Sequence, residues 1–89
     1  MARVTFTANL QRHVATPPME VAGATVREAL EAVFARNSAV RGYVLDDQGR
    51  VRKHVTIFVN AVQISDRTKL TDPVPDNSEI WIMQALSGG

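Results

Sequence analysis

Three groups of residues in this 89-residue chain have types and spacing that could do chemistry. The first is the stretch Ala85-Leu86-Ser87-Gly88-Gly89. Two glycines in a row have no Cβ, so Gly88-Gly89 can enter a slot too narrow for other residues. The α-carboxylate of Gly89 sits at the tip and is read as the reactive group, with the rest of the chain as the handle that delivers it. A frayed end without a role is the competing reading. Fixing one residue costs about 1–2 kcal/mol, so the tail from Ser87 onward is expected to stay without fixed structure in the free protein. The second group is Asp46-Asp47. Paired carboxylates could hold a metal or share a proton, but adjacent side chains diverge, and Asp before Gln48-Gly49 is common turn chemistry. The third is the basic cluster Arg50, Arg52, Lys53 and His54. It is read as a solvated face first and as a contact for an acidic partner second. Nucleic acid is a distant third reading, because no aromatic residues are interleaved to stack bases.

The elements that must position these groups follow from periodicity. Arg3 to Ala8 alternates, with Val4, Phe6 and Ala8 on one side, which predicts a half-buried strand. Asn9 to Pro18 is a loop. Met19-Glu20-Val21 is a short strand expected to pair antiparallel with the first. Gly23 to Asn37 reads as a helix. Thr25 and Glu28 form a capping box, Val26, Ala29, Leu30, Val33 and Phe34 form one apolar stripe, and Asn37 is expected to end it in the left-handed conformation. Ser38 to Lys53 has no clear period beyond apolar Tyr43-Val44-Leu45. His54 to Asn60 alternates strongly, and Val62-Gln63-Ile64 follows as the second arm of a hairpin. Ser65 to Asn77 is a loop with Pro73 and Pro75. Glu79 to Ala85 is the last strand, with Ile80 and Ile82 on one face and Trp81 and Met83 on the other.

Composition narrows the function. A net charge of +1 gives no general attraction to nucleic acid or membrane, and 45% apolar residues suits a single globular domain. Without cysteine the chain has no disulfide, thiolate metal site or thiol nucleophile, which fits a cytoplasmic protein. No segment approaches the roughly 20 apolar residues of a membrane helix, and Met1-Ala2-Arg3-Val4 lacks a signal-peptide apolar core. His13 and His54 are too isolated to suggest a metal site. No metal and no cofactor are expected.

One helix with one apolar stripe covers one face of one small sheet. The order strand, strand, helix, strand, strand, strand is compact if the first and last strands lie parallel in the middle. That is an α+β, ubiquitin-like β-grasp, a mixed sheet of about five strands with one main helix on one face. Residues 1–86 form the domain and 87–89 the tail. The expected core joins Val4, Phe6, Val55, Ile57, Val59, Ile80 and Ile82 to Leu30, Val33 and Phe34. The opposite face carries Thr5, Thr7, Phe58, Trp81 and Met83, an exposed apolar patch expected to dock a partner. The segment from Ser38 to Lys53 could instead fold over it.

On these residues the chain resembles the MoaD/ThiS family of sulfur carriers. The resemblance is carried by Asp47-Gln48-Gly49-Arg50, His54-Val55-Thr56-Ile57-Phe58-Val59-Asn60, Ile80-Trp81-Ile82 and Ser87-Gly88-Gly89. It implies that an ATP-dependent, E1-like enzyme adenylates the Gly89 carboxylate. Sulfur then replaces AMP to give a thiocarboxylate, and a second enzyme takes that sulfur. The acceptor is a molybdopterin-synthase large-subunit-like protein or another enzyme, and molybdopterin, thiamin thiazole and cysteine are all open as products. The chain would be a co-substrate, or the small subunit of a molybdopterin-synthase-like complex, rather than an enzyme. Three positions depart from the family pattern: Gln84 or Ala85 where proline is common, Asp76-Asn77 where the family often ends the turn in Gly-Asp, and Asn60-Ala61 where the hairpin is often Asn-Gly. Ala61 tolerates positive φ poorly, so a different turn type is expected there. Two alternatives share much of this reading: a modifier joined through Gly89 to lysines of other proteins, and a plain β-grasp interaction domain whose glycines are incidental.

Overall fold

The computed structural model describes residues 1–7 and 17–84. Five strands form one mixed sheet: β1 (Ala2–Phe6), β2 (Met19–Val21), β3 (Val55–Val59), β4 (Val62–Gln63) and β5 (Glu79–Gln84). Helix α1 (Val26–Arg36) packs on one face, followed by a 3₁₀ turn (Ser38–Val40) and a short helix α2 (Arg41–Val44). The strand order is β2-β1-β5-β3-β4, with β1 and β5 parallel at the centre and every other pair antiparallel. This is the ubiquitin-like β-grasp arrangement that the periodicities predict.

The core is where alternation places it. Val4, Phe6, Val55, Ile57, Ile80 and Ile82 bury against Val26, Ala29, Leu30, Val33 and Phe34 of α1. Val59 is only partly buried at the edge of that cluster. The segment after α1 is more ordered than its sequence suggests. Val40, Val44, Leu45 and Val51 are all buried, so this stretch extends the core and leaves the opposite sheet face open. Its helical turns escape a periodicity search because each is too short to repeat an apolar spacing.

Helix α1 starts as expected, with the Thr25 hydroxyl accepting from the Glu28 N–H at 3.3 Å. The Glu28 carboxylate accepts from Ala24 at 2.8 Å, one residue before the cap, so the box reaches slightly further back than its usual form. The helix end differs from expectation. Asn37 has φ −146°, which is not left-handed, and its N–H donates to Val33 O at 2.9 Å before the chain enters the 3₁₀ turn.

The β3–β4 turn also overturns an expectation. Asn60 and Ala61 both have positive φ, 51° and 70°, and Val59 faces Val62 across them. That is the conformation of a two-residue type I′ hairpin, adopted with alanine where glycine is preferred. Asn77, at φ 60°, takes the left-handed place before β5.

Candidate functional site

The candidate site is the outer face of the sheet and the end of β5 from which the tail departs. Alternation along β5 turns Trp81 and Met83 outward while Ile80 and Ile82 turn into the core. The register then places Trp81 between Thr5 and Phe58, and Met83 opposite Thr56. Trp81 and Met83 are each 42% exposed, whereas Phe58 is half-buried, less open than expected. A shallow groove lined by Thr56, Phe58, Gln63, Met83 and Gln84 runs beside them. Thr56 and Gln63 were readable as members of this face, since each stands opposite one of its apolar residues.

Within the paired strands, among the described residues, charge on this face sits at the far end. Arg3 lies between Glu20 and Glu79 in the sheet register. From Thr5 towards Gln84, the outward residues of β1, β3, β4 and β5 are Thr, Trp, Phe, Gln and Met, none of them charged. An uncharged, partly aromatic strip therefore leads along β5 towards the tail. Ser87, Gly88 and Gly89 lie outside the described residues, as do Ala8 and His13.

The two other candidate groups turn out to be largely structural. The Asp46 carboxylate accepts from the N–H groups of Gln48 at 2.9 Å and Arg50 at 3.0 Å, and from Arg50 Nε at 3.2 Å. Donation from the Arg50 N–H is the main reason its pKa is lowered. Gly49, at φ 80°, closes the turn, with its N–H on Asp46 O at 3.0 Å. This carboxylate is occupied by its own loop, which suits the turn reading over acid–base or metal chemistry. Among the described residues no group of three or more His, Cys, Asp or Glu is placed to hold a metal ion.

The basic cluster is not one solvated face. Arg52 Nε donates to Gly42 O at 2.7 Å, pinning α2. Arg67, which sequence reasoning passed over, donates through Nη2 to Arg52 O at 2.6 Å and Val55 O at 2.7 Å. Val55 O lies beyond the short β4, so Arg67 satisfies a carbonyl that the ladder leaves open, while Arg52 O also accepts from the Val55 N–H at 3.0 Å. Lys53 and His54 remain exposed. Because Val55 faces Gln84, they stand at the end of the sheet where the tail leaves β5.

No protein-family model and no curated protein sequence matches the chain. Solved structures do. A chain in the crystal structure of the Amycolatopsis orientalis BexX/CysO complex is 22% identical, with a TM-score of 0.83 and all of both chains covered. SAMP1 from Haloferax volcanii is 23% identical, with a TM-score of 0.79, covering 99% of this chain and 98% of its own. Mycobacterium tuberculosis CysO is 19% identical, with a TM-score of 0.81, covering 97% of this chain and 100% of its own. At these identities the likeness establishes the ubiquitin-like β-grasp fold over nearly the full length. No helix among the described residues is long and apolar enough to cross a membrane.

Proposed function

We propose that this chain is a sulfur carrier whose Gly89 carboxylate is activated and loaded by partner enzymes. The observation that carries the reading is the uncharged Trp81–Met83 face on β5, the last strand before Gly88-Gly89 in the sequence. A docking surface followed in sequence by a thin reactive tail is what an activating enzyme needs to bring a carboxylate to ATP. In the first step a Gly89 carboxylate oxygen attacks the α-phosphate, and pyrophosphate leaves. In the second, hydrosulfide attacks the carbonyl carbon and AMP leaves with the electron pair, giving the thiocarboxylate after loss of the proton to solvent. The chain supplies the carboxylate and the docking face, and an E1-like enzyme supplies the catalysis. The sulfur then passes to an accepting enzyme, with a molybdopterin-synthase-like large subunit as one such class. One similar structure comes from a BexX/CysO complex, consistent with a fold that works by association.

The test is mass spectrometry of the chain with an E1-like enzyme, ATP and a sulfur donor. The expected product has one oxygen of Gly89 exchanged for sulfur. Deleting Gly89 should abolish it, and Gly88→Ala should block it by widening the narrowest point, since a misplacement of about 1 Å can cost on the order of a hundredfold in rate. A Gly89 deletion loaded as fast as the full chain would refute the carrier reading and favour a plain interaction domain.

A second reading is favoured by the likeness to proteins called small archaeal modifier protein 1, one of them from Methanosarcina acetivorans at 22% identity and TM-score 0.80. In it the activated Gly89 is joined to lysines of other proteins. A ladder of heavier species on immunoblots of cell lysate supports it, and a single free band supports the carrier.

A further inference from the structure

We infer that Arg52, Lys53 and Arg67 form a cationic rim at the start of β3 that receives carboxylate side chains of an enzyme docked on the Trp81–Met83 face. The inference rests on the carrier reading above for the identity of that partner. Its starting point is an imbalance that the net charge of +1 conceals. Three ion pairs form among the described residues, and none of them involves Arg52, Lys53 or Arg67. The other described cations have carboxylates beside them. Arg41 pairs with Glu31 and Arg50 with Asp46. Arg3 lies between Glu20 and Glu79, and Arg36 shares a cleft with Glu20. Arg27 and Lys69 meet through a bond from Nε to the Lys69 carbonyl, next to Glu28 in the sequence and to the Asp66 carboxylate that accepts from the Lys69 N–H.

The rim has no such compensation. Arg67 Nη2 donates to Arg52 O at 2.6 Å and Val55 O at 2.7 Å, and Arg52 Nε donates to Gly42 O at 2.7 Å. A carbonyl accepts the hydrogen bond but leaves the positive charge uncancelled. Asp66, the sequence neighbour of Arg67, spends its carboxylate on the N–H groups of Thr68, Lys69 and Thr71. Asp46 is held by Arg50. Residues 8–16 contain no Asp or Glu. Both guanidiniums keep donors to spare, since each has five N–H groups. Their backbone bonds also fix them before a partner arrives, which lowers the ordering cost of binding. Acidic motifs are commonly taken by such arginine clusters.

Position selects the partner. Val55 faces Gln84, and Thr56 faces Met83. Lys53 stands three residues before Thr56, so their Cα atoms are within about 10 Å of each other. That is close to the Debye length at physiological salt, so a surface seated on Met83 feels the rim. The opposite end of the sheet mixes signs, with Glu20, Glu79 and Asp76 against Arg3 and the N-terminal ammonium. Among the described residues the rim is thus the unbalanced charge bordering the uncharged strip. It fixes which way round an acidic surface docks. Nucleic acid is the weaker occupant, because the stretch 50–55 has no Phe, Tyr or Trp to stack bases.

The experiment titrates the full isotope-labelled chain with a decaglutamate peptide and follows its amide resonances. Shifts are expected at Arg52, Lys53 and Arg67, with affinity falling about tenfold or more between about 20 and about 300 mM salt. Lys53→Glu should lose the shifts. Because three uncompensated like charges repel one another in the free protein, its thermal midpoint in low salt should be unchanged or higher. Lys69→Glu, at an equally exposed lysine beside Asp66, should keep the shifts. No shifts, shifts spread over all the cations alike, equal loss in the two variants, or a lower midpoint for Lys53→Glu would each overturn the inference. So would tighter binding of a decathymidine oligonucleotide than of the peptide. No activating enzyme takes part, so the loading assay on Gly89 succeeds or fails by itself.

Discussion

Trp81 is the residue on which the proposed docking face turns. It is flanked by Thr5 and Phe58 and remains 42% exposed. Interface hot spots are enriched in tryptophan and cost about 2 kcal/mol or more on truncation. On the proposed carrier reading, Trp81→Ala should weaken binding to an E1-like enzyme by about thirtyfold, measured by calorimetric titration, with only a small change in thermal midpoint. A large fall in midpoint with unchanged affinity would place Trp81 in the core instead. Ala61 invites the opposite kind of change. Its φ of 70° places a Cβ in the left-handed region, which costs L residues about 1–2 kcal/mol. Ala61→Gly should stabilise the fold by about 0.5–1 kcal/mol after the added freedom of the unfolded chain is counted. That is a rise of several degrees in melting temperature, at about 4–8 °C per kcal/mol for a domain of this size. An unchanged or lower midpoint would show that the turn carries no strain. Trp81 could be read from the sequence because alternation along one strand fixes its side. The strain at Ala61 could not, because the alanine pointed away from the turn type that tertiary pairing of β3 with β4 imposes.

Two loops set the limits at the scale of elements. The loop before β5 is organised by Asp66, whose carboxylate accepts from the Thr71 hydroxyl at 2.6 Å and from the N–H groups of Lys69 at 2.8 Å and Thr68 at 3.1 Å. The Thr71 hydroxyl, then the Lys69 N–H, hold its pKa well below the usual carboxylate range. A lowered folded pKa gives stability that is fully present above the unfolded value, about 3.9, and is lost as pH falls below it. Urea midpoints should fall with acid across that range, and Asp66→Asn should flatten the fall. Equal acid slopes in the two proteins would exclude Asp66 as a contributor. The second loop enters α1 through Gly23, where an added Cβ would meet the Ala29 nitrogen at 2.7 Å. Gly23→Ala should cost about 1–3 kcal/mol, read by denaturant titration, because the obstruction is helix backbone and cannot swing aside. Thr25, Glu28 and the apolar stripe of α1 were legible from spacing alone. The roles of Arg67 and Gly23 were not, since each meets backbone that only the fold brings near, and the local bonds of Asp66 to residues 68, 69 and 71 lie in a stretch without a readable period.

For the molecule as a whole, the element order and one amphipathic helix were enough to give the sheet topology, because few arrangements bury that stripe. What the order could not give was the second half of the core: Val21, Val40, Val44, Leu45, Val51, Ile64, Leu70 and Val74 bury from short or irregular segments without a readable period. The central β1–β5 pair has a mechanical side as well. The strands run parallel, with Ala2 leading into β1 at one end and Gln84 leaving β5 at the other. A pull between residues 1 and 84 slides one strand along the other and loads the bonds of that ladder together. Anchors at residues 54 and 84 sit at the same end of the antiparallel β3–β5 pair, where the bonds would break in sequence, each alone. Single-molecule pulling should need a higher rupture force for the first pair than for the second, and equal forces would remove the distinction. On the proposed carrier reading, a tail gripped by one enzyme could be drawn towards another while the domain that carries it keeps its shape under tension.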